Sequence, residues 1–316
     1  MSTTDQRWFH RRGALAQDGW ESAVDASTPG WEHTGIRVAE LSEGDELGLD
    51  ETGVERLVIP LAGSFTVTAA EHGESTTTAL AGRPSVFAGP TDVLYLSAAA
   101  TARIAGVGRV AVATSPTADI RPSRHVSAAE TPVELRGAGT SSRQVHNFGT
   151  PQALDAARLI VCEVITPAGN WSSYPPHKHD EHLQGHESRL EEIYYFEAAP
   201  VRGSDASETA AFGMFSTYSS PAGEIEINAM VRSGDIALVP YGYHGPAVAA
   251  PGYDLYYLNV MAGPDPERIW LISDDPEHAW VRDTWTGQDV DPRLPFATEK
   301  PFTAEKPFTA EKEDEN

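Results

Sequence analysis

Lysine is nearly absent from this 316-residue chain. It occurs only at Lys178, Lys300, Lys306 and Lys312, so arginine carries almost all the positive charge. With 23 basic against 46 acidic residues the formal charge is −23 and the pI about 4.7. Such a balance disfavours nucleic acid and anionic membrane as partners, although a local cationic pocket can still receive a small anion. Cysteine is limited to Cys162, which excludes an intrachain disulfide and fits a reducing compartment. It lies in the apolar run LIVCEVI with no cation beside it, and reads as a buried inert thiol. Nowhere are there 18 consecutive apolar residues, and MSTTDQRWFHRR lacks the apolar core of a secretion signal. A soluble cytoplasmic protein is expected, without nucleic-acid or membrane partners.

Helical periodicity is also scarce. DPERIWLISD, from Asp265, is the best short candidate. Strand-like segments dominate: RLVIPLAGSFTVTAA, SVFAGPTDVLYLS, GRVAVATS, LIVCEVITP, EEIYYFE, DIALVPYGY and YDLYYLNVMAG, punctuated by Gly, Pro, Asp and Ser. This pattern predicts an all-β sandwich or barrel. Residues 34–115 and 151–264 repeat one outline of strands, a Gly-Pro turn and more strands. Two β-sandwich domains are expected over 1–145 and 146–296, with the N-terminal arm in the first. From Pro295 the hexads PFATEK, PFTAEK and PFTAEK precede EDEN, and 297–316 reads as a disordered tail.

What is abundant is histidine, in one place. Tyr174–Glu197, YPPHKHDEHLQGHESRLEEIYYFE, holds four of the 11 histidines and six acidic residues. On a strand, His177 and His179 share a face, about 6–7 Å apart, and Lys178 points oppositely. If Glu192 faces inward, so do Tyr194 and Phe196, while Glu191, Ile193 and Tyr195 face away. In GDIALVPYGYHGP, Pro240 and Gly242 make a turn that ends in His244. Three imidazoles and a carboxylate suit Zn, Mn, Fe, Co or Ni with positions left open for substrate.

HKH, a glutamate before an apolar strand, and G-x5-P-x-G-x-H together resemble the two motifs of the cupin superfamily. His177, His179, Glu192 and His244 match that family's metal ligands position by position. Asn259 falls later than the family's usual asparagine and takes no ligand role. The first motif is interrupted: twelve residues, DEHLQGHESRLE, separate His179 from Glu192. Glu191 therefore competes with Glu192, which the resemblance favours because it directly precedes IYYFE. The second motif is one residue short between Gly242 and His244.

SSYPPHKHDE, LEEIYYF, VPYGYHGP and YDLYYLNVMAGP, spanning Ser172 to Pro264, more closely resemble the 5-deoxy-glucuronate isomerases of myo-inositol catabolism. The resemblance implies an all-β bicupin and a metal-dependent aldose–ketose isomerase taking 5-deoxy-D-glucuronate to 2-deoxy-5-keto-D-gluconate. It also implies one divalent ion, zinc or manganese, bound by His177, His179, Glu192 and His244. The rival readings are a related uronate (5-keto-4-deoxyuronate) isomerase and an Fe(II) dioxygenase on the same fold. A homo-oligomer is compatible with either class.

The first half would then be a cupin without metal. Arg56 stands where the glutamate belongs, no His-x-His precedes it, and Asp92 is the nearest polar residue after the Gly-Pro turn. The base of the isomerisation is not singled out: Tyr194, Glu191 and Lys178 are the side-chain candidates. Arg143, Tyr257, His182 and His186 are candidates for contacting the sugar acid, Arg143 through its carboxylate. The twelve-residue segment is expected to cover the mouth of the metal pocket as a lid.

Overall fold

The computed structural model describes residues 6–296, so the tail expected over 297–316 lies outside the described residues. Strands rich in Val, Ile and Tyr build three sheets. The first half forms an eight-stranded sheet. Its centre is two long strands, Val54–Glu71 and Thr101–Pro116, paired antiparallel along nearly their whole length. The second half is a sandwich. One layer runs Phe9–His10, Ile236–Val239, Glu191–Pro200, Tyr253–Ala262, Ile160–Thr166, Arg143–Gly149 and Val133–Arg136. The facing layer runs Gly223–Val231, Gly213–Ser220, Tyr243–Ala249, His177–Lys178 and Ser273–Asp274, with Trp171–Ser172 attached to Tyr243–Ala249.

Why several strands read as continuous apolar runs is now clear. Along Arg56–Leu61, Leu57, Ile59 and Leu61 enter a core shared with the second half, while Val58 enters the first half's own core. Alternating side chains bury both faces of the strand, which removes the polar alternation of a half-exposed one. The shared core joins Ile36, Leu57, Ile59 and Tyr95 to Ile160, Val161, Ile193 and Tyr195, so the halves pack as one body.

Two boundaries differ from the sequence expectation. Strand pairing assigns Val133–Arg136 and Arg143–Gly149 to the second half's sheet, so a division at 145/146 would cut a strand. The N-terminal arm also belongs there: Phe9 and His10 pair with Ala237 and Ile236, and Arg11 bonds Asp235. We place the division instead in the segment between Val126 and Val133, where one sheet ends and the next begins. Residues 265–272 are not helical. Extended backbone lets Ser188 bond both the amide and the carbonyl of Leu271, and the helical turns come later, as a 3-10 segment at Ala279–Trp285. Among the described residues no helix is long and apolar enough to cross a membrane.

Candidate metal centre

The ligand candidates come from three strands in the two layers of the sandwich. His177–Lys178 and Tyr243–Ala249 lie in one layer, where His177 pairs directly with His244. Glu192 begins the strand Glu191–Pro200 in the other. Closing the sandwich brings their side chains together. One ligand atom from each of His179, Glu192 and His244 lies within 4.8 Å of the others, and all three residues are buried. His177 stands beside them, its ring centroid 4.5 Å from that of His244 and 6.4 Å from that of His179.

Backbone carbonyls set the tautomer of each ring. Nδ1 of His177 donates to Pro175 O (3.3 Å), that of His179 to Leu190 O (3.0 Å), and that of His244 to Gly242 O (3.1 Å). A carbonyl only accepts, so Nδ1 carries the proton in all three. Each Nε2 lone pair is left for a cation, the arrangement that outer partners impose on metal-binding histidines. Two Nε2 atoms converge on one oxygen, Glu192 Oε2, at 2.9 Å from His179 and 3.1 Å from His244. The His244 atom makes no hydrogen bond there and is an orphaned buried acceptor.

Electrostatics agree with a cation at that point. Burial alone would raise the Glu192 carboxyl, but His179 and His244 outweigh it and hold the group at about 2. Burial, reinforced by His244, pushes His177 well below the ordinary histidine value and keeps it neutral. Three imidazoles around a carboxylate form a donor set that fits a divalent metal.

A cavity of about 240 Å³ opens beside this cluster. That is below the ~300–1,000 Å³ of drug-sized pockets and suits a small metabolite. It is lined by His177, Glu192, Tyr194, Tyr257 and Asn259, with Arg136, Arg143 and Arg282 adding cationic wall. The three arginines are not equivalent. Arg136 is forked onto Glu134 and Arg282 onto Asp274. Arg143 is 6% exposed, and its one side-chain hydrogen bond is to Ser141 O. Burial, together with Arg136, lowers it to about 9, so it remains cationic near neutrality, with no anion bound to it among the described residues.

Ser173 was not evident in the sequence. Its Oγ lies 3.2 Å from Tyr194 Oη and 3.1 Å from Tyr257 Oη, which links three buried hydroxyls. It holds a left-handed φ of 45°, a conformation costly to a residue with a side chain and retained where the surroundings enforce it. Gly245 permits the approach, since a Cβ there would lie 1.8 Å from Ser173 O. Burial, with the charge of Glu192, raises the Tyr194 hydroxyl well above its usual value, so Tyr194 acts as a neutral donor.

Other candidates sit elsewhere. Strand alternation turns Glu191 away from the cavity, where it accepts the amides of Glu32, His33 and Thr34 and pins the first half to the second. Lys178 also faces away and ties Asp180, Glu181 and Glu187 together. Neither lines the cavity. His182 and His186 are exposed and do not line the cavity. His182 instead bonds Asp265, which also receives the Arg189 amide, so the twelve-residue segment is fastened to the 265–271 stretch rather than drawn over the mouth. Tyr174, Trp270, Ile272 and Arg282 wall the cavity in its place. In the first half Arg56 and Asp92 do not pair. Arg56 donates to the carbonyls of Ala100 and Glu51, and Asp92 accepts the amides of Ala81 and Gly82 beside His125.

Comparison with known proteins agrees with this architecture. The sequence model of the KduI/IolB family matches residues 8–281. A 5-deoxy-glucuronate isomerase from Geobacillus thermodenitrificans is 37% identical over 272 residues, 85% of this chain and 93% of that protein. One from Bacillus subtilis strain 168 is 36% identical over 78% of this chain and 86% of its own length. The crystal structure of an IolB-like protein from Salmonella typhimurium superposes with a TM-score of 0.75 at 31% identity, covering 87% of this chain and 98% of that one. A Bacillus subtilis oxalate decarboxylase shares the fold alone, with a TM-score of 0.57 at 11% identity.

Proposed function

The chain belongs to the KduI/IolB family, and from that membership we propose that it is an aldose–ketose isomerase converting 5-deoxy-D-glucuronate to 2-deoxy-5-keto-D-gluconate. The observation that carries the substrate assignment is the pairing, in one cavity, of the histidine–glutamate cluster with Arg143, a buried cation bound to no anion. The substrate has the two matching functions, an aldehyde beside a hydroxyl at one end and a carboxylate at the other.

In this reading His177, His179, Glu192 and His244 hold one divalent ion, zinc or manganese, whose chemistry is that of a Lewis acid toward the aldehyde and its neighbouring hydroxyl. The guanidinium of Arg143 takes the carboxylate in a forked contact, which fixes the direction of the sugar chain. Isomerisation moves one proton from the hydroxyl-bearing carbon to the aldehyde carbon and another from the hydroxyl to the aldehyde oxygen. It consumes no oxidant. Tyr194 and Tyr257, each bonded to Ser173, offer the second proton a path between neighbouring oxygens. Walls formed by Tyr174, Trp270 and Ile272 keep bulk water from the reacting carbons. The buried free thiol of Cys162 fits a reducing, cytoplasmic setting.

The test is NMR of purified, metal-assayed protein incubated with 5-deoxy-D-glucuronate. Appearance of the ketose without O2 uptake supports the assignment. Turnover only of 5-keto-4-deoxyuronate, or turnover that requires iron and O2, would replace it with one of the rival readings.

A further inference from the structure

Asn259 lies on Tyr253–Ala262 in direct register with Tyr194 on the neighbouring strand. Direct cross-strand partners share a face, and Glu192 is two residues before Tyr194 on that same face. The Asn259 side chain is therefore one diagonal step, about 7–8 Å between strand positions, from the carboxylate of the metal cluster. Its residue is 3% exposed and lines the cavity. The amide nitrogen Nδ2 is buried and has no hydrogen-bond partner among the described residues. A buried N–H2 without an acceptor costs roughly 1–3 kcal/mol. Of the nearby polar groups, Ser173 bonds both Tyr194 and Tyr257, and His177 and His179 bond carbonyls. The indole Nε1 of Trp270 is a second buried donor without a partner on the cavity wall, but the Asn259 amide is the one on the strand face that carries Glu192, a donor held for something that enters the cavity.

We infer that Asn259 is a catalytic residue whose Nδ2 donates to the oxygen that becomes negative during isomerisation, the aldehyde oxygen as it turns into an enediolate oxygen. The inference rests on the isomerase reading above. As the C–H bond of the hydroxyl-bearing carbon breaks, its proton passes to a general base that later delivers it to the former aldehyde carbon, its electron pair forms the carbon–carbon double bond, and the carbonyl pair moves onto oxygen. A preorganised donor gains most there, because the charge is greater in the transition state than in the aldehyde. An amide suits the role. It stays neutral at any working pH and cannot displace a metal ligand by ionising.

The experiment uses the metal-loaded enzyme with Asn259→Ala and the isosteric Asn259→Asp, which replaces the donor by an acceptor. Each is assayed for metal content, for kcat and KM, and for affinity toward two probes. One is a hydroxamate whose C(=O)–NH–OH group replaces the two reacting carbons and mimics the enediolate. The other is the substrate with its aldehyde reduced to an alcohol. For both variants kcat should fall about 10²–10³-fold, the loss typical of one missing oxyanion donor. Hydroxamate affinity should fall in parallel, while KM and affinity for the reduced substrate stay within about threefold, since neither reports the developing charge. A raised KM with intact kcat, lost metal, or equal weakening of both probes would each overturn the inference. If the wild-type enzyme isomerises no sugar acid at all, the isomerase reading fails instead, and the two failures are told apart by that control.

Discussion

Arg83 of the first half and Glu163 of the second meet in a two-pronged ion pair, 2.6 and 2.7 Å, with side chains 1% and 0% exposed. Glu163 also accepts from Tyr256 Oη and His146 Nδ1, so three side chains converge on one carboxylate at the inter-half seam. Burial opposes its ionisation, but Arg83 and His146 prevail and hold it at about 2. The unfolded value is about 4.3, so the unfolded chain binds the proton first as pH falls. The stability contributed by this group, on the order of 3 kcal/mol, is present above about pH 5 and lost as pH falls toward 2. Glu163→Gln should lower Tm at neutral pH, because it strands a buried guanidinium at a cost of about 3–5 kcal/mol. It should also flatten the fall of Tm between pH 5 and 3. Calorimetry across that range checks both, and an unchanged slope would remove Glu163 from the acid transition.

The metal assignment divides its ligands by geometry. His179, Glu192 and His244 form the tight set, and His177 stands against it. Alanine at His179 or His244 should weaken metal binding by well over the ~10–100-fold that loss of an outer partner already causes. His177→Ala should follow them. Metal content by elemental analysis and competition with a chelator measure the effect. A His179→Ala protein with full occupancy and full activity would sink the assignment.

Arg143 carries a double signature. It is a buried cation with no anion, so it costs stability in the absence of substrate and should be useful only when substrate arrives. Arg143→Leu should raise Tm of the substrate-free protein and raise KM by about 10–100-fold, the worth of charged hydrogen bonds, with kcat much less affected. Arg143→Lys keeps the charge but not the fork and should recover only part of the affinity. Melting curves and steady-state kinetics on the same preparations decide it: a lower Tm with unchanged KM would make Arg143 a structural residue.

The parts of the molecule legible in the sequence were those that leave a pattern in the residue types of one short segment. Strands such as Ile160–Thr166 and Tyr253–Ala262 announce themselves because both their faces are buried. The candidate ligands His177, His179, Glu192 and His244 form a readable motif because a metal site would restrict residue types and order. Asn259, Ser173, Trp270 and Arg282 reach the same cavity through strand register and loop packing, which no local pattern records. The place of Val133–Arg136 was equally hidden, since it follows from pairing with Arg143–Gly149 and not from composition. DPERIWLISD reads as a short helix from its sequence, but Trp270 and Ile272, two residues apart, both line the cavity from non-helical backbone. Proximity misled once, at the insertion after His179: a loop anchored at metal ligands invites a lid reading, but its own ion pairs direct it elsewhere.

Those ion pairs give the last prediction. Lys178 Nζ contacts Asp180, Glu181 and Glu187 at 2.7–2.9 Å, and the side chains of Asp180 and Glu187 are nearly inaccessible. Glu187 in turn accepts the amides of Asp180 and Glu181, and Asp180 accepts from the Gly242 amide. One residue, Tyr243, separates Gly242 from His244, so this buried cluster braces the turn that delivers a candidate metal ligand. Burial would lower the Lys178 ammonium, but its three carboxylates outweigh that and raise it, so it is never the neutral amine that a base requires. Lys178→Met leaves buried carboxylates without a cation and should cost about 3–5 kcal/mol of stability, with metal affinity falling as the turn loosens. His182→Gln with His186→Gln, on the exposed outer part of the same loop, should leave metal content, Tm and the pH profile of kcat/KM unchanged. Were the double glutamine variant to shift that profile while Lys178→Met kept its Tm, the segment would be acting on substrate as a lid after all, and the cluster would not be its anchor.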